Sequence, residues 1–124
     1  VGPGINSRIE TVFISYDTKT GADLAREAKA LCEQAGFEAW LWEVDREPGA
    51  FLFEEIATQI ENCTVFFYFC TVLDDSQTSM GQRYERNLAL RLNKQMRIFA
   101  AEDKYVPLTL VMFNYEDFSE CERI

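Results

Sequence analysis

Apolar positions along this chain fall into runs that alternate between strand length and helical spacing. Val12 to Ser15 has the character of a short buried strand. Between Gly21 and Ala35 the residues Leu24, Ala28, Leu31 and Ala35 share one helical face, which predicts a helix. Thr20 or Asp23 is placed to cap its start, and Gly36 stands where a helix end takes a residue free to adopt positive φ. Phe37 to Leu41 predicts a second strand, followed by a polar loop from Trp42 to Ala50 that closes in the turn signal Pro48-Gly49. Phe51 to Asn62 returns to helical spacing through Leu52, Ile56 and Ile60, widened by Phe53 and Ala57. Thr64 to Cys70 is almost continuously apolar, as a central strand buried on both faces would be. A polar loop from Thr71 to Gly81 leads to a helix from about Gln82, with Leu88, Leu92 and Met96 on one face. Ile98-Phe99-Ala100 reads either as its last turn or as a short strand, Val106 to Phe113 as the fourth strand, and Asn114 to Ile124 carries no strong signal.

Strands alternating with helices predict right-handed crossovers and a parallel sheet. The ligand crevice of such a sheet lies beyond the C-terminal ends of its strands, where the strand order reverses. The loops Tyr16 to Thr20, Trp42 to Ala50 and Thr71 to Gly81 occupy such ends, and the first and third would meet across one crevice. Neither GxGxxG after the first strand nor GxxxxGK[ST] is present, so the familiar phosphate cradles are missing. A phosphorelay receiver would need an acidic pair after the first strand and an Asp ending the third, where this chain has Phe69-Cys70-Thr71.

Composition narrows the field. At 124 residues, 48% of them hydrophobic and ten of them Phe, the chain predicts one domain with a sizeable core, preceded by a flexible lead over 1–8. The net charge of −9 argues against nucleic acid as a partner. No apolar run is long enough for a membrane helix, and the N-terminus lacks the regions of a signal peptide. Four cysteines without CxxC spacing, and no histidine, provide no metal site and suggest a reduced, cytoplasmic setting.

Three phrases in order then point to a family. Phe13-Ile14-Ser15-Tyr16 resembles the first box of TIR (Toll/interleukin-1 receptor-like) domains, and Gly36 to Trp40 followed by Asp45 and Pro48-Gly49 resembles their second strand and BB loop. Ser79 and Glu85 match the ends of a Ser-x-Trp-Cys-x-x-Glu pattern found in many members. Gly81 and Gln82 replace its Trp and Cys, and Trp42 replaces a common Asp. The resemblance, from Val12 to about Ser119, implies a flavodoxin-like three-layer sandwich around a central parallel sheet, with the last strand and helix short or missing.

The resemblance also implies either a scaffold that signals through TIR–TIR contacts or an enzyme that cleaves NAD+ at the nicotinamide–ribose bond, with Glu85 as the catalytic group. NAD+ would be the substrate, with no resident cofactor and no metal. Nicotinamide leaves a cationic pyridinium as a neutral base and needs no general acid, so one carboxylate near the ribose suffices and the lack of histidine is no obstacle. A helix start favours ionised Glu85 through the helix dipole, which equally accounts for a carboxylate there without catalysis. Ser15, Tyr16, Asp17, Phe51 and Ser79 are the candidates for binding the nucleotide, Tyr16 by offering its ring to a base. Each has a plain alternative: strand-end loop residues for the first three, a core Phe at a helix start, and a loop residue or helix cap at Ser79. A related nucleoside-processing enzyme using the same glutamate is a third reading.

Overall fold

The computed structural model describes residues 10–45, 49 and 52–122. Its strands are β1 (Thr11–Ser15), β2 (Glu38–Trp40), β3 (Val65–Cys70), β4 (Met96–Ala100) and β5 (Tyr115–Glu116). They form one sheet in the order β2-β1-β3-β4-β5, with every neighbouring pair parallel. The helices are α1 (Ala22–Gln34), α2 (Trp42–Asp45), α3 (Leu52–Asn62) and α4 (Met80–Arg91). Order reverses between β1 and β3, as in flavodoxin-like sandwiches, which places a crevice above the ends of those two strands.

All six residues of β3 are buried, and alternation divides them between two cores. Val65, Phe67 and Phe69 join Val12, Ile14 and Phe99 against Ala25, Ala28 and Cys32 of α1. Phe66, Tyr68 and Cys70 join Phe13 and Ile98 against Ile56, Ile60 and Ala89 on α3 and α4. The small residues of α1 let it lie close to the sheet, while Leu24 and Leu31 pack at the margin of that core. Gly36 adopts φ +89° after α1, the conformation expected of it. The N-cap of α1 is Gly21 rather than Thr20 or Asp23, and no side chain caps it. Thr20 instead bonds Thr71 through their hydroxyls at 2.7 Å, tying the loops after β1 and β3 together.

The structure corrects the sequence reading at three places. The loop after β2 begins with the short helix α2. The helix placed from Gln82 starts at Met80 and ends at Arg91, so Leu92 lies at its C-cap and Met96 opens β4. Ile98 to Ala100 belongs to a strand: β4 pairs with β3 from Phe66↔Met96 to Cys70↔Ala100 and takes the place in the sheet assigned to Val106–Phe113. That later run contains a 3₁₀ turn at Leu108–Leu110, which buries only Leu110 and exposes Leu108, Val111 and Met112. The last strand is present but only two residues long.

The place of a last helix is held by a 3₁₀ segment, Phe118–Glu122, whose Phe118 packs edge-on against Phe69 at 5.3 Å between ring centroids. Arg97 on β4 holds this end, donating to both carboxylate oxygens of Glu116 at 2.8 and 2.6 Å and to the Glu120 carbonyl at 2.9 Å. Among the described residues no helix is long and apolar enough to cross a membrane.

Candidate functional site

Helix α4 turns an unusual face inward. Its buried residues are Gln82, Glu85, Arg86 and Ala89, so three of the four are polar. Each of these polar side chains finds a partner on the strand ends or the loop beneath. Gln82 Nε2 donates to the Phe69 carbonyl at 2.9 Å and the Ser15 carbonyl at 3.3 Å, bridging β1 and β3 where they diverge. Arg86 donates from Nη1 to Tyr68 Oη at 3.0 Å and forms a two-pronged pair with Asp75 at 2.9 and 3.2 Å. That pair holds the Asp75 carboxyl below its ordinary range.

Glu85 is 8% exposed and accepts a hydrogen bond from Ser15 Oγ at 2.7 Å. It sits in the second turn of α4 rather than at its start, and the dipole's influence is concentrated in the first turn. Burial dominates and pushes the carboxyl up to about 8, with the Ser15 hydroxyl opposing it. Near neutrality the protonated acid is therefore favoured, which corrects the expectation of an ionised Glu85.

A cleft of about 220 Å³ opens above this group, lined by Tyr16 and Thr18 from the first loop and Trp42 from α2. Leu52 and Ile56 of α3 form one wall, and Ser79, Gly81, Gln82 and Glu85 form the α4 side. Gly81 in place of the bulky pattern residue leaves this wall without a side chain; a Cβ there would meet nothing within 4 Å.

The structure sorts the remaining candidates by what each side chain touches. Ser15 orients Glu85. Tyr16 is only 6% exposed, its ring packed into the α1-side core, so the ring is not an open platform for a base. Asp17 is buried, and its two oxygens are occupied by backbone amides: Oδ1 accepts from Lys19 at 2.9 Å and Thr20 at 3.3 Å, and Oδ2 accepts from Ser79 at 3.2 Å. It shapes the loop and docks it to α4. Ser79 is the N-cap of α4, its Oγ accepting from the Gln82 amide at 3.2 Å, and it also reaches the cleft. Phe51 lies outside the described residues, as do Arg46, Glu47 and Pro48 of the BB loop.

Two contributors escaped the sequence reading. Gln82 was visible only as a departure from a pattern, and its amide is what joins the two strand ends. The Asp75–Arg86 pair joins the loop after β3 to α4, a contact between two elements that no periodicity within either one reveals. Among the described residues no group of three or more Cys, Asp or Glu is arranged to hold a metal.

Comparison with known proteins places this geometry. A solved TIR domain, from the Toll-related receptor TRR-2 of Hydra magnipapillata, superposes with a TM-score of 0.73 at 21% identity, covering 88% of this chain and 84% of that one. The CMP N-glycosidase BcmB of Clostridium botulinum is similar at a TM-score of 0.60 and 18% identity, covering 81% and 77%. A 2-desoxiribosyltransferase from Leishmania mexicana follows at 0.57 and 15%, covering 75% and 65%. At these identities the likeness is one of fold. No curated protein matches the sequence. The family model described as TIR domain matches residues 12–122, so the chain belongs to the TIR domain family.

Proposed function

We propose that this TIR domain is an NAD+ glycohydrolase, which hydrolyses the nicotinamide–ribose bond when self-association activates it. Its setting on this reading is cytoplasmic immune or stress signalling. The observation that carries the proposal is Glu85, a carboxyl group buried beside a cleft and oriented by Ser15.

The chemistry requires stabilisation of a ribosyl cation as a neutral pyridine departs. A cationic pyridinium entering the cleft favours the ionised form of Glu85, because an opposite charge at close range offsets part of the desolvation that holds the proton. The carboxylate then faces positive charge that moves from the ring nitrogen to the ribose carbon as the bond breaks. Attack by water yields ADP-ribose, and attack by a nucleophile of the same molecule yields a cyclic product.

A second reading rests on the raised proton affinity of Glu85. A neutral nucleobase is a poor leaving group unless protonated, and a carboxylic acid with its pKa near 8 can donate that proton. The fold likeness to an enzyme titled as a CMP N-glycosidase is in keeping with this reading.

The test is incubation of concentrated protein with NAD+ or CMP, with free base followed by chromatography and Glu85→Ala run beside the parent. Nicotinamide release by the parent alone supports the proposal, and cytosine release alone supports the second reading. No release from either, even with assembly induced by a crowding agent, leaves a scaffold that acts through TIR–TIR contacts.

A further inference from the structure

The four cysteines are all buried as free thiols, and the sheet divides them two and two. Cys63 and Cys70 belong to the α3 and α4 side. Cys63 precedes β3 and Cys70 ends it, so an extended strand of roughly 20 Å holds them apart. Cys32 on α1 and Cys121 in the Phe118–Glu122 segment share the other core. Cys121 lines a groove of about 190 Å³ with Ala28 and Leu31, which stand one turn and one position before Cys32 on α1. The two thiols are near enough for charge on Cys32 to push Cys121 up, and the Arg97 guanidinium pulls both down.

Access separates the two. Cys32 is fully enclosed, whereas Cys121 borders a groove with room for a molecule the size of a peroxide. We propose that Cys32 and Cys121 form a redox pair, which a peroxide converts into a disulfide that staples the C-terminal segment to α1. The Cys121 thiolate attacks one peroxide oxygen, leaving a sulfenic acid and a hydroxide that takes up a proton to become water. Cys32 sulfur then attacks the sulfenic sulfur, and its proton leaves with the hydroxyl as a second water. The dithiol has lost two electrons and two protons, and the peroxide has become two waters. A thiol reductant reverses the step by exchange.

The surroundings set the rate. Burial pushes Cys121 up to about 12; Cys32 and Glu27 of α1 and Glu116 of β5 add to this, and Arg97 of β4 opposes it. Thiolate is therefore scarce near neutrality, and oxidation quickens as pH rises. The bond would close a loop of about 90 residues, which removes freedom chiefly from the unfolded chain. Nothing in this inference depends on the chemistry of the cleft.

The experiment exposes the reduced protein to hydrogen peroxide, alkylates the remaining thiols in denaturant and maps the unreduced peptides by mass spectrometry. A peptide pair joining Cys32 to Cys121 is expected, with Cys63 and Cys70 alkylated. Its rate of formation is expected to rise about tenfold per pH unit from pH 7 to pH 9. The oxidised protein is expected to melt higher by on the order of 5 °C, and dithiothreitol to abolish the rise. Cys32→Ala is expected to leave a sulfenic acid at Cys121 that dimedone traps, while Cys63→Ala cross-links like the parent. Should Cys32→Ala fail to fold, the map of the parent decides alone. Four alkylated thiols at a peroxide level that oxidises free dithiothreitol would overturn the inference. So would a different pairing, sulfinic acid at Cys121 beside an alkylated Cys32, or a cross-linked protein that melts no higher.

Discussion

Glu85 shows how burial alone changes what a residue can do. Its folded pKa, raised to about 8, stands above the ordinary Glu value near 4.3, so folding takes up a proton. The associated stability is fully present below about pH 4 and is lost as pH rises through about 8. Glu85→Gln removes this titration while keeping the shape. In denaturant unfolding, the variant should gain on the parent steadily between pH 5 and pH 8, by on the order of 3 kcal/mol at the upper end. The same group sets a rate profile. If ionised Glu85 is the working form, kcat/KM for NAD+ should climb about tenfold per pH unit and level off above pH 8. Ser15→Ala removes the hydrogen bond that favours the carboxylate and should move that profile to higher pH; an unmoved profile would assign the titration to another group.

At the scale of elements, the site depends on α4 being docked by polar contacts rather than by an apolar stripe. Asp17 fastens the loop after β1 to the first turn of α4 by accepting from the Ser79 amide, while holding the amides of Lys19 and Thr20. Asp17→Ala removes the acceptor of three backbone amides, two of them on the exposed residues Lys19 and Thr20 where water can take its place, and should cost about 1 kcal/mol, with faster amide exchange at Lys19, Thr20 and Ser79. Ser15 belongs to the strand and Glu85 to the helix, so a loosened junction should also lower kcat more than it raises KM. Periodicity could not foresee this element. Leu88, Leu92 and Met96 suggested an apolar face, but only Leu88 packs within the helix, while Leu92 is exposed and Met96 is in the next strand. Polar residues bury at Gln82, Glu85 and Arg86 because strand-end carbonyls, a strand-end hydroxyl and a loop carboxylate lie opposite them.

At the scale of the molecule, the sheet is closed at its β5 side by a short segment instead of a full helix. Phe118 lies across Phe69 and Phe99, and Cys121 is buried against the α1 layer. Phe118→Ala should lower stability by about 2 kcal/mol without moving the pH profile of turnover, since the cleft lies on the other layer. A loss of activity at full folding would show that this end communicates with the site.

The alternation of apolar runs, read without a structure, determined the parallel α/β sandwich and the places of β1, α1, α3 and β3, while the motifs around Phe13–Tyr16 and Ser79–Glu85 pointed to the family. The sandwich and its elements follow from local spacing and from β3 being apolar at both parities. Tertiary structure decided the rest. Met96–Ala100 took the place beside β3 because it pairs in register along the whole strand, whereas Val106–Phe113 carries Pro107 and a 3₁₀ turn. The protonation of Glu85 was decided by how much protein surrounds it, and the docking role of Asp17 by the Ser79 amide that lies opposite. Both depend on distances between residues far apart in the chain, which spacing along a sequence does not measure.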